Sequence, residues 1–271
     1  MTLTEANYYG HKSNLGFMSV SQFKSFQRCE AATMAELNGT YIPERGRALL
    51  LGSYVDEALT GTEESFAKFC EENRSELFKK NGDPYADVLQ ANEAIRRVRE
   101  QPLMMKYLGG EHQTIMTGEI AGVPFKGKFD SYKPGEFIAD LKYVRSLRSP
   151  NMFENVIDYW GYHLQMAVYQ ELVYQNTALR LPCYIVAVTK EDPAHVAVCQ
   201  IDQFTLNDQL ETVKKLAPTF QKIKNGEFHA ERCEHYDCDF CTKTKILTEP
   251  VPYEMITMSA EQVKAMRGEI L

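Results

Sequence analysis

Apolar residues in the first third of the chain recur at helical spacing, and from His112 onward the period drops to two. The first regime predicts a helix from Ser19 or Ser21, either of which suits an N-cap, through Cys29 to about Leu37. A second helix is expected over Arg45–Leu59, and two amphipathic, charged ones over Glu63–Lys80 and Ala86–Tyr107. The alternating regime predicts strands at His112–Ala121, Val123–Tyr132, Phe137–Val144, Cys183–Thr189 and His195–Ile201. Between the third and fourth strands, the run from Asp158 to Tyr169 reads as a helix, and Thr205–Asn225 as another, closed by Asn225-Gly226. A short helix is expected from Ser259. Helices first, then strands interleaved with helices, imply a single α/β domain over 1–271. Its parts are a mainly helical 1–110, a sheet-and-helix region 111–226 and a cysteine-bearing 227–271.

The pattern acquires chemistry at the second and third strands, which flank the turn Lys133-Pro134-Gly135-Glu136. Folded as a hairpin about that turn, the chain brings Asp130 opposite Asp140, because paired positions in an antiparallel ribbon sum to a constant. Asp140 and Lys142 are two apart on one strand and point the same way. Two converging carboxylates repel unless a cation lies between them, and hard oxygen ligands suit Mg²⁺ or Mn²⁺. A lysine beside them can orient water or neutralise phosphoryl charge, which is the equipment of metal-assisted phosphodiester hydrolysis. The plain alternative is a solvated strand face. Further along, Gln165 and Tyr169 are four apart and share a helix face.

Composition adds limits. The 271 residues are 44% hydrophobic and 25% charged, ordinary for a globular protein, with a net charge of −7 that argues against non-specific coating of nucleic acid. A local basic track remains available in Lys126, Lys128, Lys142, Arg145 and Arg148, the alternative for the last two being a solvated loop. No N-terminal run has the apolar core of a signal peptide, and the longest apolar stretches are strand-sized, so a cytoplasmic location is expected. Of seven cysteines, Cys183 and Cys199 fall in apolar strands and read as buried hydrophobes. Cys233, Cys238 and Cys241 lie within nine residues and point to a metal more than to disulfides, with Cys29 or His235 as fourth ligand, or else to free thiols in a loop. His235 would suggest zinc. His163 faces away from Gln165 and reads as a packing or DNA contact, as do Phe153 and Trp160, for which packing is expected.

The order Asp130, then Asp140-Leu141-Lys142, then Gln165-x-x-x-Tyr169 resembles the PD-(D/E)XK nuclease superfamily, in particular its RecB-like and phage RecE-like exonuclease branch. The resemblance is sharp from Gly127 to Tyr169. It implies a restriction-endonuclease-like mixed sheet flanked by helices, with a helical N-terminal elaboration. It also implies a Mg²⁺-dependent (or Mn²⁺-dependent) DNA exonuclease leaving 5′-phosphates, with catalytic residues Asp130, Asp140, Lys142, Gln165 and Tyr169. Metal ligands would be Asp130, Asp140 and the Leu141 carbonyl. Asp56 stands where relatives present a histidine after a Gly-Ser, here Gly52-Ser53, and Glu119 stands where similar nucleases have a supporting acid. Lys128, Arg145 and Arg148 would contact DNA. Gln165 would orient the scissile phosphate or the lysine. AddB-like and CRISPR-associated relatives join one N-terminal cysteine to three C-terminal ones around a [4Fe-4S] cluster, which implies Cys29 with Cys233, Cys238 and Cys241; the spacing here reverses their usual order. The partners implied are linear DNA, a single-strand annealing protein and further copies of the chain. Two other readings follow from the departures: an impaired DNA-end-binding protein, because of Asp56, or an iron–sulfur nuclease subunit of a larger complex.

Overall fold

The computed structural model describes residues 2–44, 46–149, 154–233 and 238–246, with positions 250 and 253. In chain order its elements are α1 (His11–Gly16), β1 (Met18–Ser19), α2 (Val20–Arg28), α3 (Glu30–Leu37), α4 (Arg47–Thr60), α5 (Glu63–Glu72), α6 (Arg74–Leu77), α7 (Ala86–Arg99) and α8 (Pro102–Leu108). Next come β2 (Thr114–Ile120), β3 (Val123–Phe129), β4 (Ser131–Lys133), β5 (Phe137–Val144), α9 (Val156–Tyr159) and α10 (Tyr162–Thr177). The order closes with β6 (Cys183–Thr189), β7 (Val196–Ile201), α11 (Gln203–Lys224) and α12 (Asp239–Lys243). Two compact units result, one of residues 1–20 and 45–216, the other of 21–44 and 217–271.

Four expected helices are each broken: the one over Glu63–Lys80 divides at Asn73 (φ −109°, ψ 19°) into α5 and α6, and the other three break for local reasons. Cys29 is extended (φ −165°, ψ 109°) and caps α3 with its own thiol, so the first helix divides into α2 and α3. Gln101 is extended (φ −102°, ψ 103°), as a residue before proline prefers, and Pro102 opens α8 at a position that needs no N–H donor. Gly161 adopts the left-handed conformation (φ 60°, ψ 40°), which separates α9 from α10 within the stretch read as continuous from Asp158. The helix expected from Ser259 lies outside the described residues.

The first unit carries two mixed sheets flanked by helices, the expected fold class. One has the order β1-β3-β2, with β1 parallel and β2 antiparallel to β3. The other has the order β4-β5-β6-β7, with β5 and β6 parallel and the outer pairs antiparallel. The strand expected over Val123–Tyr132 divides into β3 and β4 at Asp130.

Strand β5 positions the chemistry. Phe137, Ala139 and Leu141 join a core with Leu51 and Val55 of α4, Val88, Ala91 and Ile95 of α7, and Met104 and Leu108 of α8. Each of the larger of these side chains contributes about 1.5–3 kcal/mol on burial, and each alanine less. The alternate residues Ile138, Asp140 and Lys142 therefore lie on the opposite face, where α10 packs. Helix α10 approaches closely because Gly127 leaves room: a Cβ there would meet Leu172 Cδ1 at 3.0 Å and the Tyr169 ring at 3.2 Å.

In the second unit, Phe23 and Phe26 of α2 pack on Phe220 of α11, with ring centroids 5.2 and 5.3 Å apart. A smaller core forms from Cys29, Ala32, Cys238 and Cys241. Among the described residues, no helix is long and apolar enough to cross a membrane.

Candidate active site

The hairpin register is the one the turn implies. Ser131 pairs with Ala139, Tyr132 with Ile138 and Lys133 with Phe137, and Asp130 extends that register opposite Asp140. The Asp130 Oδ2 atom accepts a hydrogen bond from the Leu141 backbone N–H at 3.0 Å, which pins the carboxylate against β5. Asp140 sits in a run of apolar residues and is only 1% exposed. A carboxylate so placed needs partners, because its hydration is gone. Its Oδ1 accepts from Gln165 Nε2 at 2.6 Å. Its Oδ2 lies in ion contact with the Lys142 ammonium yet accepts no well-aligned hydrogen bond.

Helix α10 supplies the support. Gln165 Nε2 also reaches the Tyr169 hydroxyl at 3.2 Å, and that hydroxyl donates to the Lys128 carbonyl at 2.9 Å. The chain Lys128–Tyr169–Gln165–Asp140 thus fixes the carboxylate from two elements at once. Gln165 meets the acid Asp140 directly.

Asp56 comes from α4. Its Oδ1 accepts from Thr60 Oγ1 at 3.0 Å and its Oδ2 from Gln113 Nε2 at 3.4 Å. Burial pushes the Asp56 carboxyl up, against the Thr60 hydrogen bond, and Asp140 and Glu57 push it further. Burial likewise raises Asp130 well above the ordinary carboxylate range, with Asp140 and Asp56 adding to it and Lys142 opposing. Burial opposes the charge on Lys142, but Asp140 and Asp130 more than offset this and hold the amine above the ordinary lysine value. Three acids therefore repel one another around a single ammonium. With a buried carboxylate oxygen lacking a good donor, this is the setting a divalent cation fits, and Asp56, Asp130 and Asp140 are the residues that could hold it.

Two side chains join the site without having been singled out from the sequence. The Lys142 ammonium lies 4.9 Å from the centre of the Tyr162 ring. Tyr162 is three residues before Gln165, so helical spacing could have found it. Gln113 contacts Asp56 across 57 residues of chain, which no local spacing reveals.

Other expectations are corrected. Glu119 is exposed and pairs with Pro124, whereas Thr114 at the other end of β2 pairs with Phe129 beside Asp130. Five residues of strand span about 17 Å, so Glu119 is not brought to the acids. Instead its backbone N–H and carbonyl are held by the Gln175 amide. Lys126 is no part of a basic track: it is buried, and its ammonium donates to the Tyr8 carbonyl, Ser13 Oγ at 3.1 Å and Asn14 Oδ1 at 2.7 Å. Trp160 is 52% exposed and lies edge-on to Tyr159 with ring centroids 4.9 Å apart. Phe153 and His235 lie outside the described residues. Lys128 stays near the site, its ammonium 5.1 Å from the exposed Tyr9 ring, and Arg145 and Arg148 are exposed just beyond β5. His163 lies 3.7 Å from Asp158.

The four cysteines converge in the second unit, and their sulfurs all lie within 4.8 Å of one another.

No curated protein sequence matches the chain. A crystal structure of a candidate exonuclease from Eubacterium rectale superposes with a TM-score of 0.88 at 37% identity, over 95% of this chain and 98% of that one. A family model described as a PDDEXK-like domain of unknown function (DUF3799) matches residues 19–244, a span that holds all three acids, the lysine, Gln165 and Tyr169. Spacing, geometry and likeness agree: the chain belongs to this PDDEXK-like family, within the PD-(D/E)XK nuclease superfamily.

Proposed function

We propose that the protein is a divalent-metal-dependent exodeoxyribonuclease acting on the ends of linear DNA. One observation carries the reading: Asp130, pinned to the Leu141 N–H, completes an acid cluster with Asp140 and Asp56 around the Lys142 ammonium. The description of the Eubacterium rectale protein as a candidate exonuclease supports the exo mode.

Asp130, Asp140, Asp56 and the Leu141 carbonyl would hold Mg²⁺ or Mn²⁺, which when bound supplies charge neutralisation at a phosphate and a more acidic water. Before metal binds, Asp140 and Asp130 hold the Lys142 amine above the ordinary lysine value. Beside the metal, Lys142 would orient or activate the attacking water, or stabilise a non-bridging phosphate oxygen. Gln165 and Tyr169 act through Asp140 and are positioning residues. Lys128, Arg145 and Arg148 offer charge to the DNA backbone, a contribution that weakens with salt. Partnership with a single-strand annealing protein, assembly of several copies and a role in phage-type recombination go with this reading.

The test is digestion of end-labelled linear duplex with Mg²⁺, beside a covalently closed circle of the same sequence. Loss of one end label ahead of the other from the linear form, with the circle intact, is the expected outcome. Binding to ends without turnover would make the protein an end-binding relative, and equal cutting of the circle would make it an endonuclease.

A further inference from the structure

We propose that Cys29, Cys233, Cys238 and Cys241 hold one tetrahedral zinc ion as a closed structural site, and not a four-iron cubane. The inference is independent of the nuclease reading, because all four thiols belong to the second unit and none of the acids does.

Sulfur spacing decides between the two groups. The Cys29 and Cys241 sulfurs are 3.5 Å apart, as are those of Cys233 and Cys238. All four lie within 4.8 Å of one another. Around a single ion with Zn–S bonds of about 2.3 Å, tetrahedral sulfurs stand about 3.8 Å apart, inside that range. A cubane carries its thiolates outside the four irons, so their sulfurs must stand roughly 6 Å apart. To take one, every thiol would have to retreat, while Cys29 and Cys241 are buried and packed with Ala32. Zinc asks only for a small adjustment of side chains already in place.

The surroundings suit a thiolate set of that size. Cys29 Sγ accepts backbone N–H groups from Ala32 and from Cys233, both at 3.4 Å. Cys238 Sγ accepts the N–H of Cys241 at 3.4 Å, within a Cys-x-x-Cys spacing common to structural zinc sites. These donors spread the charge of the bound thiolates, and Arg232, bonded to Thr244 Oγ1 at 2.9 Å, brings a cation to the same segment. Binding releases the thiol protons to solvent, with no change of oxidation state. Four protein thiols leave no open position, so the site has no room for a substrate or water and its role is structural. It joins α3 to the segment that carries α12 across a chain separation of 204 residues, where a cross-link constrains the unfolded chain most.

The experiment uses the full-length protein, purified without oxygen from cells supplied with both iron and zinc. Metal content, acid-labile sulfide and the visible spectrum are measured on the same sample. About one zinc per chain, little iron, no sulfide and no brown absorption are expected. Iron and sulfide near four per chain would overturn the proposal in favour of the cubane. Chelator-stripped protein is then titrated with Co²⁺. The intense visible bands of tetrahedral cobalt thiolate should appear at one equivalent and vanish on addition of ZnCl₂. Protein that arrives empty and gives no such bands would also overturn it. Cys29→Ser should shift the cobalt bands and weaken Zn²⁺ affinity by about 10–100-fold. Should that variant fail to fold, the wild-type cobalt titration alone decides.

Discussion

Asp130→Asn should make the metal-free protein more stable while abolishing cleavage. In the wild type, Asp130 is a half-buried carboxyl repelled by Asp140 and Asp56 and attracted by Lys142. Opposed Cβ atoms in a ribbon stand about 5 Å apart, and at an effective dielectric near 20 one charge pair at that range is worth about 3 kcal/mol. Two repulsions removed against one attraction lost leave a net gain of about 1–3 kcal/mol for the neutral amide. Asparagine keeps an oxygen for the Leu141 N–H, and its amide can donate to a neighbouring carboxylate. An aspartate raised in the folded state keeps its proton longer there than when unfolded. The stability it contributes is complete below the unfolded value of about 3.9 and is lost as pH rises through the folded value. Asparagine does not titrate, so the variant's advantage should open on the alkaline side and close toward pH 4. The assay is thermal unfolding in EDTA at a series of pH values, where each kcal/mol is worth about 2–4 °C. Repetition with Mg²⁺ should raise the wild type, by about 2.7 kcal/mol at a hundredfold excess over Kd, and leave the variant unmoved. A variant less stable than wild type in EDTA at pH 8 would refute the electrostatic account of this site.

Asp140→Asn and Lys142→Ala should each lower cleavage of linear duplex by about 100-fold or more with circular dichroism unchanged; either variant cutting near the wild-type rate would mean the active site lies elsewhere. Asp56→Ala should raise the Mg²⁺ concentration for half-maximal activity by about tenfold, and an unchanged titration would return Asp56 to a purely structural role beside Thr60. Gly127→Ala places a methyl 3.0 Å from Leu172 Cδ1 and 3.2 Å from the Tyr169 ring, so these side chains of α10, or the helix itself, must give way by a few tenths of an ångström. A loss of about 1–3 kcal/mol in stability is expected, with kcat falling more than KM changes; a variant with wild-type kcat would show that α10 does not position Asp140.

What the sequence determined by itself was set by short-range geometry. A turn at residues 133–136 fixes a pairing sum, so Asp130 had to face Asp140; strand alternation put Lys142 beside Asp140; a helical turn joined Gln165 to Tyr169. Each relation spans at most 11 residues and depends on one backbone periodicity, which the residue pattern itself encodes. The breaks in that pattern were less visible, because Cys29 and Gly161 interrupt helices through conformations that periodicity does not register. Tertiary structure alone decided the rest. Gln113 meets Asp56, Lys126 is buried against residues 8–14, Trp160 faces outward and Glu119 lies a strand's length from the acids. Cys29 reaches three thiols more than 200 residues away. In each case the outcome depends on which surfaces pack together and what they exclude from water, and that is a property of the folded whole that no window of sequence contains.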